Sequence, residues 1–233
     1  GYNRMMSIEG LFGAGDAVGG TPHAFSSGSF TEGRLAAKAA CKYIDDGKGE
    51  NIKVTNATLD KLKKEVFKPL EHYKLYRNEI VAGSVNPHYH NPRQFLDRLQ
   101  KLMDEYCGGL TVNYMTNEKL LNIGLKKLAI MEEDLEKIAA EDLHELLRAW
   151  ELKHRHRTSE CVMQHTLFRK ETRWPGYYYR GDAMKLDDEN WHVLTVSRRD
   201  PQTGSYTMEK APLYHLEDVK EDEVAGKETI AAE

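Results

Sequence analysis

The residues best suited to chemistry lie near the start of the chain, in Gly10-Leu11-Phe12-Gly13-Ala14-Gly15-Asp16 and then Ser27-Gly28-Ser29-Phe30. A Gly-rich turn that feeds a helix leaves backbone N–H groups unpaired and gathers the positive end of the helix dipole. Such a turn can receive an anion or a carbonyl oxygen. An acid at the carboxyl end of a strand, the place expected for Asp16, can accept hydrogen bonds from the hydroxyls of a sugar-like chain. The run falls short of the full GxGxxG dinucleotide fingerprint, so a purely structural turn fits it equally well.

Other groups carry less specific signals. His88 and His90 have the spacing of a metal-ligand pair, but no Cys or acid is spaced with them, so they read as loop surface. Lys153-His154-Arg155-His156-Arg157 has the charge to grip phosphate and is read as decorating a helix C-terminus, where cations offset the dipole. Tyr177-Tyr178-Tyr179 and Trp174 are read as core or strand residues, and Arg173 and Arg180 as partners of Glu171, Asp182 or Asp187. The three cysteines, Cys41, Cys107 and Cys161, lie too far apart for a disulfide framework or a CxxC cluster site and are expected to be reduced, buried thiols.

The elements that must position these groups follow from hydrophobic spacing. Ile8 to Asp16 reads as a short buried strand running into the Gly-rich turn. Ser29 is expected to cap a helix reaching Asp46, with Leu35, Ala36, Ala39, Ala40, Tyr43 and Ile44 inward. Leu59 to Asn78 is helical, and Pro69 should kink or split it. Asn91-Pro92 starts a third helix, with Phe95, Leu96, Leu99, Leu102, Met103 and Tyr106 in one stripe and Gly108-Gly109 closing it. Two more are expected over 117–137 and 141–155, the latter burying Leu143, Leu146, Leu147 and Trp150, and a further one over 159–170. Together they predict an antiparallel helical bundle. Strands are expected at 177–179, 192–197 and 205–208, the last two joined by a turn at Asp200-Pro201-Gln202-Thr203-Gly204.

Composition narrows the classes. The net charge of −4 divides unevenly: seven acids against two lysines give residues 217–233 a charge of −5, leaving the first 216 residues at +1. A nearly neutral body argues against wholesale nucleic-acid binding, and the acidic tail is expected to be mobile or laid on a partner. No run approaches the roughly 18 apolar residues of a membrane span. The chain opens at Gly1-Tyr2-Asn3 without a signal-like pattern and reads as part of a longer, cytoplasmic protein.

Gly10 to Asp16, His23, Ser27-Gly28-Ser29, Gly33-Arg34 and Ala36-Ala37 resemble the closing segment of the FAD domain in the succinate dehydrogenase/fumarate reductase flavoprotein superfamily. A second match is independent of the first. Arg169-Lys170-Glu171-Thr172-Arg173 is similar to the superfamily's R-x-E-S-R segment, with Arg180-Gly181-Asp182, Asp187-Asp188 and Trp191 following in its order. The resemblance implies a mainly α chain: an antiparallel helical bundle, preceded by the end of an α/β FAD-binding domain and followed by a small β-containing C-terminal region. The expected boundaries are 1–49 for the FAD-domain segment, 57–172 for the bundle, 173–216 for the β region and 217–233 for the tail. It also implies that Gly15 and Asp16 meet the ribityl chain of FAD, and that Ser27, Gly28, Ser29 and Phe30 meet the flavin ring, where a helix dipole stabilises the reduced form.

Departures from the pattern point to a subfamily. Dicarboxylate-using members carry an Arg in an H-G-x-N-R-x-G-G-N stretch, whereas this chain has His23-Ala24-Phe25-Ser26-Ser27-Gly28-Ser29. That stretch, Glu32-Gly33-Arg34, Glu160-Cys161-Val162 and Arg173-Trp174-Pro175-Gly176-Tyr177 are similar to α subunits of the dissimilatory adenylylsulfate reductase family. This resemblance implies interconversion of adenylylsulfate with AMP and sulfite. It also implies substrate contacts from His23 and Phe25, the latter packing on adenine, and a partner β subunit that alone holds the 4Fe-4S clusters. The catalytic acid or base would lie outside these residues, so the 233 residues alone are expected to be inactive and to copurify without FAD. Two alternatives stay open. One is another enzyme of the superfamily (succinate dehydrogenase, fumarate reductase or aspartate oxidase), which the missing Arg disfavours. The other is a non-catalytic subunit-docking module.

Overall fold

The computed structural model describes residues 2–18, 26–49, 54–79, 86–173 and 175–213. Two compact units divide the chain, 1–62 and 63–233. His23, Phe25, Trp174 and the acidic tail lie outside the described residues.

In the first unit, the strand expected at Ile8 is replaced by a tight reversal. Met5 and Phe12 form an isolated antiparallel bridge, and the Leu11 N–H donates to the Ile8 carbonyl at 3.1 Å. Ile8 is exposed, because it sits at the tip of this reversal and not in a sheet. A 3₁₀ turn, Gly15–Ala17, follows, and then helix α1, Ser26–Asp45. The buried face of α1 is Glu32, Ala36 and Ala39, so the helix lies close to its neighbours through small side chains and one acid. Cys41 is on the opposite face and exposed, contrary to the expectation of a buried thiol.

Helix α2, Asn56–Tyr76, begins in the first unit and ends in the second. It runs through Pro69 as one helix instead of splitting there. Proline removes the N–H that would have met the Glu65 carbonyl. The neighbouring carbonyl of Val66 accepts the indole N–H of Trp150 at 3.0 Å, and Pro69's own carbonyl accepts the Ala140 N–H at 3.0 Å.

The second unit is organised by α3, Pro92–Tyr106, α4, Glu118–Leu135, and α5, Leu143–Phe168. Asn91 and Gln94 form a capping box at the start of α3, with Pro92 in the first helical position. Asn117 and Asp142 cap α4 and α5 in the same way, each side chain accepting an N–H from the first turn. Phe95, Leu99 and Leu102 from α3 meet Leu121, Leu128 and Met131 from α4 and Ala149, Leu152 and Met163 from α5 in one core. Gly124 permits the closest approach: a Cβ there would lie 2.8 Å from Met163 Cε and 2.9 Å from Tyr106 Cβ.

The two helices expected over 141–155 and 159–170 are one. No Gly or Pro interrupts 155–159, and His156 faces the core, its Nε2 2.8 Å from the Leu128 carbonyl. The basic run Lys153 to Arg157 therefore sits mid-helix and not at a C-terminus: Lys153 covers Trp150, and Arg157 pairs with Glu132 and Glu160. The stripe that α5 buries is Leu146, Ala149, Leu152, His156, Ser159 and Met163, whereas Leu143 and Leu147 face outward.

The β content is small. Strand β1, Met115–Thr116, pairs in parallel with β2, Tyr179–Arg180, so only Tyr179 of the expected tyrosine strand joins a ladder. After the short helix α6, Asp188–Trp191, strands β3, Leu194–Arg199, and β4, Tyr206–Ala211, form an antiparallel hairpin. The Asp200 side chain accepts the Gln202 and Thr203 N–H groups, and Gly204 has a φ of +72°, the chemistry expected of that turn. Among the described residues no helix is long and apolar enough to cross a membrane.

Candidate functional site

The Gly15 turn and the start of α1 come together in the first unit. Gly15 has a φ of +64°, the left-handed conformation that favours glycine, and a Cβ on it would lie 3.1 Å from Ser29 Oγ. This contact sets Gly15 and Asp16 beside the first turn of α1. Gly13 is buried beneath, where an added Cβ would lie 3.0 Å from Val18 Cγ2.

The first turn of α1 contains no acidic residue that would oppose an incoming negative charge. Ser27 and Ser29 are exposed there, and the ring of Phe30 is 81% exposed. Asp16 is also exposed. A helix start offering backbone N–H groups, hydroxyls and an open aromatic face can hold a flat, polar-edged ring. Of the eight residues the sequence singled out for binding, Gly15, Asp16, Ser27, Gly28, Ser29 and Phe30 thus gather at one place, while His23 and Phe25 are outside the described residues.

One member was missed. Glu32, 7% exposed on the inner face of α1, accepts the Gly15 N–H on Oε2 at 2.7 Å, and its Oε1 lies 3.7 Å from Arg4 Nη2. The available signal was an acid one turn after Gly28-Ser29, in register with the small apolar residues Ala36 and Ala39.

In the second unit, the Arg169–Arg173 segment is a structural knot. Glu171 is fully buried and accepts from Arg169 Nη1 at 2.5 Å, Arg173 Nε at 2.7 Å and Nη2 at 3.1 Å, and the Asp187 N–H at 2.9 Å. Burial pushes its pKa up, but the hydrogen bonds from Arg173, Asp187 and Arg169 outweigh it and hold the carboxyl below the ordinary range. Arg169 also donates to the carbonyls of Trp191 and Val193, at 2.7 and 2.8 Å, and Arg173 pairs with Asp188 at 2.9 Å. These arginines are spent on the protein itself and order the region that follows α5.

The remaining sequence candidates have structural partners. His88 stacks on Tyr76 and lies 2.7 Å from Glu79, and His90 lies 3.6 Å from Asp134. Among the described residues no three His, Cys, Asp or Glu side chains converge as metal ligands. Burial pushes the Cys107 thiol up to about 11.

Residues 96–227 match the family described as fumarate reductase flavoprotein C-term. The chain belongs to that family. It is 40% identical over 215 residues to the adenylylsulfate reductase subunit alpha of Megalodesulfovibrio gigas, covering 92% of this chain and 32% of that protein. The adenylylsulfate reductase structure from the hyperthermophilic Archaeoglobus fulgidus superposes with a TM-score of 0.87 at 51% identity, covering 92% of this chain and 33% of that one. An adenosine-5-phosphosulfate reductase in complex with sulfite, as a covalent adduct, gives a TM-score of 0.86 at 50% identity over the same shares. The chain thus spans about a third of the length of these flavoproteins. Quinol fumarate reductase from E. coli, at 22% identity and a TM-score of 0.66, shares the fold.

Proposed function

We propose that the chain is the C-terminal third of the FAD-carrying subunit of an adenylylsulfate reductase, interconverting adenylylsulfate with AMP and sulfite. The observation that carries this is 40–51% identity over 92% of the chain to proteins of that name, against 22% to the fumarate reductase. The sequence argues in the same direction, since the stretch from His23 to Ser29 lacks the Arg that would grip a dicarboxylate.

In this reading residues 1–49 close the FAD domain, 57–172 form the bundle, 173–216 the β region, and 217–233 an acidic tail. The residues suit a flavin: glycine at position 15 lets the turn lie close against α1, and the helix start beside it offers N–H groups, hydroxyls and the open Phe30 ring. Asp16 accepts hydrogen bonds from the ribityl hydroxyls. Ser27, Gly28 and Ser29 present the α1 N-terminus to the polar edge of the ring, favouring negative charge there. Phe30 would meet the ring, and His23 and Phe25 would contact the substrate, Phe25 packing on its adenine. The flavin supplies two-electron exchange when bound. An iron–sulfur partner subunit, holder of the 4Fe-4S clusters, would exchange electrons with it. The full-length subunit, purified with its partner, is expected to contain stoichiometric FAD and to reduce ferricyanide with AMP plus sulfite; turnover with succinate instead would refute the assignment.

A further inference from the structure

Glu32 is buried on α1 beside Ala36 and Ala39, and its bonding explains why an acid stands there. Its Oε2 accepts the Gly15 N–H at 2.7 Å, and Arg4 Nη2 stands 3.7 Å from the other oxygen. Arg4 is itself held in the left-handed region, at a φ of +63°, and its carbonyl accepts the Gly13 N–H at 3.0 Å. The 2–6 segment, the Gly13–Gly15 turn and α1 are therefore joined through one carboxylate. An apolar residue at 32 would leave the Gly15 N–H, on the inner side of the turn, without this acceptor.

We propose that Glu32 is a positioning residue for the flavin site. By accepting the Gly15 N–H it sets the spacing between the turn that carries Asp16 and the first turn of α1. The role rests on the flavin reading above, because those two elements are the ones that meet the ribityl chain and the ring. Glu32 touches neither; it fixes the distance between the groups that do. The bond needs an acceptor oxygen at the reach of the Glu32 side chain, whose other oxygen faces Arg4.

The test uses the full-length subunit with its partner, comparing Glu32→Ala, Glu32→Asp and Glu32→Gln by titration of apoprotein with FAD and by visible circular dichroism of the bound flavin. Gln keeps an acceptor at the same reach, whereas Asp keeps the charge but falls one methylene short. Glu32→Ala and Glu32→Asp are expected to weaken FAD binding about tenfold or more and to alter the flavin dichroism, and Glu32→Gln to stay within about threefold of the parent. If Glu32→Ala does not accumulate, the Asp and Gln variants decide. Asp binding like the parent while Gln loses flavin would overturn the proposal, as would parent-like binding and dichroism in Ala and Asp. A wild-type protein that binds no FAD would instead overturn the flavin reading itself.

Discussion

Arg180 and Asp182 meet through two hydrogen bonds of 2.9 Å, Nε to Oδ1 and Nη2 to Oδ2, and join the ends of two helices. Arg180 Nη1 donates to the carbonyls of Thr166, Leu167 and Arg169 at the end of α5. Asp182 Oδ2 accepts the Glu118 N–H at the start of α4, at 2.9 Å. A cation thus faces a helix C-terminus and an anion a helix N-terminus, the favourable sense for both dipoles.

Replacing Arg180 should be costly, because its side chain is 1% exposed and its loss strands an acid and three carbonyls. Arg180→Met is expected to lower unfolding free energy by about 3–5 kcal/mol, read by denaturant titration. Arg180→Lys should recover only part, since an ammonium cannot make the two-pronged contact. A loss below about 1 kcal/mol for the Met variant would contradict this role.

The same pair predicts acid sensitivity. The hydrogen bond from Arg180 holds Asp182 at a pKa of about 2. With the folded value lower than the unfolded one, of about 3.9, the contribution is complete above about pH 4 and is lost as pH falls through the folded value. Glu171, also lowered, acts in the same sense. Asp182→Asn should flatten the acid limb of a stability-against-pH profile while leaving its slope near neutrality unchanged. An unaltered acid limb would show that the pair contributes nothing there.

Gly124→Ala tests the packing of the bundle. The added methyl would gain up to about 1 kcal/mol of helix propensity but would meet Met163 and the backbone-fixed Tyr106 Cβ at 2.8–2.9 Å. Overpacking costs about 1–3 kcal/mol, so the variant should melt lower than the parent. A higher melting temperature would mean that the core can give way at this point.

Expressed alone, the 233 residues are expected to carry no FAD, since on the proposed reading they supply one end of the site and span about a third of the length of the relatives they match. Absorbance near the flavin bands at stoichiometric level would contradict that.

Much of this was legible in the sequence where a local signal coincided with the tertiary one. Asn91-Pro92 reads as a helix start because both residues act locally, and Phe95, Leu99 and Leu102 as core because their spacing is helical. Misreadings fell where tertiary contacts overrode local cues. Pro69 did not split α2 in a setting where nearby carbonyls find donors elsewhere. The 155–159 stretch, rich in polar residues, reads as a break, yet His156 is buried against α4. At the candidate site, Gly15 and Asp16 were visible as a turn signal. Glu32 was not assigned, because its partner is a backbone N–H 17 residues away and backbone groups leave no mark in a sequence.

The most direct test of the account is ferricyanide reduction by the full-length subunit with its iron–sulfur partner, supplied in parallel with AMP plus sulfite and with succinate. Turnover that requires both AMP and sulfite, with none on succinate, is the predicted result. Turnover on succinate, or none on AMP plus sulfite by a fully flavinated complex, would contradict it.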